Sequence, residues 1–93
     1  MKQILDILKR EKNHLQKKYF VDSLALFGSY SRGENNNSSD IDILVSFSKP
    51  VGIEFLYLAH ELEDILGKKV DLVSKKAIKS SYYKFIEKDL KYV

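Results

Sequence analysis

The sequence contains no cysteine, two histidines, a single proline and only four glycines. Without cysteine there is no disulfide framework and no thiolate zinc site. His14 and His60 lie too far apart for a local ligand pair, so any metal would be held by oxygen. No apolar run approaches the ~20 residues of a membrane span, and the start, MKQILDILKREKN, interrupts its apolar positions with charges, unlike a signal peptide. The expected location is cytoplasmic, with no membrane partner. There is no repeat and no linker composition.

What is present fits one compact domain spanning residues 1–93. Hydrophobic residues make up 44% and charged residues 31%, which describes a folding chain and not a disordered tail. A domain this small buries only about 60 to 65% of its unfolded surface, so exposed apolar patches become candidate partner surfaces. The net charge of +3 and the pI near 9.0 are mildly basic. The lysines are scattered, however, with Lys9, Lys12, Lys17 and Lys18 interleaved with acids and amides, and Lys75 to Lys91 spread along the C-terminal segment. A solvated surface explains them, and no direct nucleic-acid partner is expected.

Hydrophobic periodicity orders the chain. Ile4, Leu5, Leu8, Leu15 and Tyr19 recur at helical spacing, predicting an amphipathic helix over 2–18. Ser23 to Phe27 is a short apolar run stopped by Gly28, read as a buried strand. GENNNSS, residues 33–39, is a polar loop. DIDILVSFS, residues 40–48, is a second strand closed by Pro50 and Gly52. Phe55, Leu58, Ala59, Leu62, Ile65 and Leu66 share one helical face that ends at Gly67, a C-cap residue. Residues 69–73 predict a third strand, taken as central, and 75–89 one helix or two short ones. The expected order is helix, strand, turn, strand, helix, strand, helix.

Two short patterns carry chemistry. In Gly28-Ser29-Tyr30-Ser31-Arg32-Gly33, a glycine at a strand end leads into a helical turn whose unpaired backbone N–H groups suit phosphate oxygens. Ser29 offers a hydroxyl, and Arg32 either meets a phosphate or braces the acidic loop. The alternative is an ordinary strand-to-helix turn. In Asp40-Ile41-Asp42, strand alternation puts both carboxylates on one face from Cα atoms ~7 Å apart, with Ile41 and Ile43 facing the core. Unpaired carboxylates so close repel by about 1 to 4 kcal/mol, and each resists desolvation. A cation between them resolves this, and Mg²⁺ takes oxygen ligands while retaining places for water and phosphate. The alternative is a solvent-facing strand edge. Jointly, G-S, ten residues and D-x-D arise by chance in about one chain in a thousand of this length.

The stretch GSYSRGENNNSSDIDILV resembles the signature of the polymerase-β-like nucleotidyltransferase superfamily, and closely that of its minimal nucleotidyltransferase domains. LALFGSYSRG is similar to that family's first strand and turn, SDIDILVSF to its metal-binding strand, KKVDLVSKKAI to the third strand with a further acid, and IEKDLKYV to its tail. The resemblance implies an α/β (α+β) fold, a small mixed sheet of about three to four strands flanked by helices. It implies that Gly28 and Ser29, with Arg32 beside them, bind the nucleotide phosphates, that Asp40 and Asp42 bind Mg²⁺, and that Asp71 completes the metal site and helps deprotonate the attacking hydroxyl. The implied reaction is in-line displacement at the α-phosphate of ATP with release of pyrophosphate.

The chain lacks room for the helical acceptor domain of larger members. Relatives of this size resemble antitoxins paired with a HEPN ribonuclease toxin, in a type VII-like arrangement, and the implied activity is transfer of AMP to a toxin tyrosine. Two alternatives remain open: a non-catalytic module that occludes the same toxin, and a nucleotide-binding subunit of a two-component small-molecule enzyme. His60 reads as a helix-surface residue. Tyr57, Tyr82, Tyr83 and Tyr92 read as packing residues, with a partner surface as the alternative for the last three, while Ser31 and Ser39 could touch nucleotide or metal-bound water.

Overall fold

A computed structural model describes residues 2–93. The order is α1 (Lys2–Tyr19), β1 (Val21–Phe27), α2 (Gly28–Arg32), β2 (Ile41–Phe47), α3 (Glu54–Leu66), β3 (Val70–Ser74), α4 (Ser80–Ile86), a 3₁₀ turn (Glu87–Asp89) and β4 (Lys91–Tyr92). The described strands make one mixed sheet in the order β3-β2-β1-β4. β1 is antiparallel to β2 and β4, and β2 runs parallel to β3. This is the mixed α/β architecture the sequence implies.

The two faces of the sheet follow from strand alternation. Leu24, Leu26, Ile41, Ile43 and Val45 form the main core with Leu8 and Leu15 of α1 and Leu58 and Leu62 of α3, all buried. Ala25, Phe27 and Leu44 face the other way and pack under Ile86 of α4 in a smaller cluster. α3 ends where glycine permits it, with Gly67 at φ +67 and its N–H on the Glu63 carbonyl. His60 lies exposed on α3, as expected.

The structure corrects three expectations. β3 is an edge strand and not a central one, because β2 has β1 on its other side. The last residues add the short strand β4 to the free edge of β1, pairing Ala25 with Tyr92 and Leu26 with Lys91, where the sequence predicts no strand after the helical stretch 75–89. Two residues are too few for a periodic signal, and backbone pairing, not side-chain pattern, decides them. Tyr57, Tyr82 and Tyr92 do not pack inside; they are 56%, 46% and 50% exposed.

Candidate active site

Because β1 is antiparallel to β2, the end of β1 lies beside the starts of β2 and β3. That single topological fact brings the distant motifs together. Phe27 pairs with Asp42, and Asp42 pairs in register with Asp71 on the parallel neighbour. Parallel partners in register project on the same face, so these carboxylates stand side by side on the face that α4 only partly covers. Asp40 lies one residue before β2 and is exposed.

Gly28 begins α2 with φ +72, and a Cβ there would lie 2.1 Å from Oδ2 of Asp42. Glycine is thus required twice, by the left-handed backbone and by the approach of the carboxylate. Ser29 is half-buried, and its hydroxyl has no hydrogen-bond partner among the described residues. Gly33, with φ +71, caps α2, and the Glu34 N–H reaches the Ser29 carbonyl at 2.9 Å.

Asp42 carries the clearest electrostatic signature. Its pKa is raised from 3.8 to about 6 by partial burial first, then by the charges of Asp71 and Asp40 and a hydrogen bond with Asp71, against a smaller opposing pull from Arg32. Asp71 itself is exposed, because β3 lies at the sheet edge and not at its centre. The acids form an open group; no three acidic or histidine side chains among the described residues stand in a ready-made metal cluster. Their donor chemistry suits Mg²⁺, which takes few protein carboxylates and fills its remaining places with water and phosphate oxygens.

Arg32 adopts the bracing geometry. Its Nε donates to Glu34 Oε1 and its Nη1 to Asp89 Oδ2, each at 2.8 Å. Ser31 is buried and donates to the backbone carbonyl of Asp89, so it does not face a nucleotide. Ser39 Oγ accepts the Asn36 N–H and shapes the loop. Asp89 is the residue sequence reasoning missed. It lies 57 residues from Arg32, and only the acid in the tail IEKDLKYV hinted at it.

A family model of the nucleotidyltransferase domain matches residues 1–93. The chain belongs to this nucleotidyltransferase family. A predicted protein adenylyltransferase of Methanocaldococcus jannaschii is 50% identical over 97 residues, spanning 100% of this chain and 97% of the relative. The protein adenylyltransferase MntA of Thermococcus cleftensis is 39% identical over 94 residues, 100% of this chain and 95% of the relative. Among solved structures, the nucleotidyltransferase resembles a chain of the tri-AMPylated Shewanella oneidensis HEPN toxin in complex with MNT antitoxin. The TM-score is 0.68 at 28% identity, covering 99% of this chain and 71% of that one. In this nucleotidyltransferase no described helix is long and apolar enough to cross a membrane.

Proposed function

We propose that the chain is a Mg²⁺-dependent protein adenylyltransferase that transfers AMP from ATP to a tyrosine hydroxyl of a HEPN toxin and so acts as its antitoxin. The observation that carries this reading is the juxtaposition of Gly28 with Asp42, and of Asp42 with Asp71, at one end of the sheet. The relatives add support: two bear the name protein adenylyltransferase, and one solved complex holds an AMPylated HEPN toxin beside an MNT antitoxin. A cytoplasmic setting follows from ATP as substrate.

The roles follow from chemistry. The backbone at Gly28 and the free hydroxyl of Ser29 hold the β- and γ-phosphates, while Arg32, engaged by Glu34 and Asp89, braces the turn that presents them. Asp40 and Asp42, completed by Asp71, would hold Mg²⁺, which when bound neutralises phosphate charge and relieves the repulsion among these acids. Asp71, the most accessible of the pair on β2 and β3, takes the proton of the acceptor hydroxyl. The acceptor oxygen bonds to the α-phosphorus, the bond to the bridging oxygen breaks in line, and pyrophosphate leaves with the electron pair.

Incubation of the chain with Mg²⁺, α-labelled ATP and a HEPN toxin with which it forms a complex tests the proposal. Label on a toxin tyrosine, lost with Asp42→Asn, is the expected result. Neutralisation of the toxin without label transfer, persisting in Asp42→Asn, would replace it with occlusion.

A further inference from the structure

α2 is a single turn of five residues with no side-chain cap at Phe27. One turn of helix does not hold itself in water, because its few hydrogen bonds do not offset the backbone entropy they cost. Two consecutive residues of this turn are tied to one distant residue. The buried Ser31 hydroxyl donates to the Asp89 carbonyl, and the Arg32 guanidinium donates to the Asp89 carboxylate at 2.8 Å. That carboxylate is only 11% exposed against 41% for Arg32, so it is the fixed member of the pair. Glu34 holds the Nε edge of the same guanidinium at 2.8 Å. Two acids thus set its plane, as a fork of donors allows and an ammonium would not. Asp89 is fixed in turn, since it ends the 3₁₀ turn that leads into β4, and Lys12 Nζ holds the Val93 carbonyl at 2.7 Å.

We propose that Asp89 is a positioning residue for nucleotide binding: through Arg32 and Ser31 it fixes α2, and with it Gly28 and Ser29, in the orientation that receives the phosphates. The inference rests on the nucleotidyl-transfer reading above. The bonds local to the turn, Gly33 N–H to the Tyr30 carbonyl and Glu34 N–H to the Ser29 carbonyl, close its C-terminal end, and buried Tyr30 anchors it to the core. Asp89 adds a tie from the chain's last segment, which makes that segment part of the nucleotide site and not only an edge to the sheet. The net charge of Arg32 with its two acids is −1, so the pair of acids does not exist to attract a triphosphate. Their use is geometric.

Asp89→Asn keeps the carbonyl that receives Ser31 and the side-chain volume, and removes the charge that orients Arg32. The expected result is a Kd for MgATP weakened about tenfold by calorimetry, the loss of one charge-assisted contact. The transfer rate at saturating ATP should stay within about threefold, and Asp89→Glu should recover most of the affinity. Arg32→Lys, which keeps the charge but loses the fork, should weaken MgATP similarly and serves if the Asp89 variant does not fold. A lowered melting temperature with unchanged MgATP affinity in these variants would make Asp89 a structural staple and overturn the inference. Failure of the wild-type chain to bind MgATP at all would overturn the nucleotidyl-transfer reading, and this one with it.

Discussion

Oδ2 of Asp42 occupies the space that a side chain at Gly28 would fill, 2.1 Å from where its Cβ would stand. The glycine that turns the chain out of β1 into α2 and the carboxylate that β2 presents are therefore one mutually fitted unit, contributed by different elements.

Gly28→Ala should be costly in both roles. The φ of +72 strains any L side chain, and the methyl must displace the Asp42 carboxylate. Urea denaturation should show a loss of about 1 to 3 kcal/mol, and transfer activity in the remaining folded protein should fall by at least tenfold. Retention of both would mean that the carboxylate moves freely.

Asp42→Asn should separate stability from activity. The folded-state pKa of Asp42, about 6, lies above the ordinary 3.8, so the folded protein holds this proton more tightly than the unfolded chain. The resulting stabilisation is complete below pH about 3.8 and is lost as pH rises through about 6. In metal-free buffer the urea midpoint of Asp42→Asn should therefore gain on the wild type between pH 4 and 7, while transfer activity disappears. A midpoint difference that does not change with pH would remove the carboxylate repulsion from the argument.

Mg²⁺ should oppose that loss. Saturation at about 100-fold above Kd adds about 2.7 kcal/mol, so the melting temperature of the wild type should rise by about 10 to 20 °C and fall back with EDTA. Asp40→Asn and Asp42→Asn should respond weakly. An equal rise in all three proteins would place the ion elsewhere.

Glu61 joins the helices on the opposite face. Its carboxylate takes the Tyr19 hydroxyl at 2.5 Å, Lys18 at 3.0 Å and His14 at 2.7 Å, all from α1. The Tyr19 hydrogen bond is the chief cause of a pKa lowered from 4.5 to about 2. A depressed carboxyl stabilises the fold above its unfolded pKa, so the contribution is present above pH 4.5 and lost as pH falls through about 2. Glu61→Gln should cost about 1 kcal/mol at pH 7 after allowance for solvent screening, and the cost should vanish near pH 2. A cost that persists there would be packing and not charge.

The local code was legible in the sequence. The helical spacing of Leu8, Leu15, Leu58 and Leu62, the alternation about Asp40 and Asp42, and the glycine stops at positions 28 and 67 each express a backbone rule acting within a few residues. The joint spacing of Gly28-Ser29 and Asp40, Asp42 pointed to phosphate and metal chemistry before any contact was known. Strand order was not legible. Placing β3 at the edge left Asp71 exposed beside Asp42, and placing β4 against β1 brought Asp89 to Arg32. Those contacts join residues 29 and 57 positions apart, and no periodicity reaches so far. Sequence determined which residues carry the oxygen ligands and the phosphate-sized turn; the order of strands, set by burial of the core and pairing of the β1 edge, decided which of them meet.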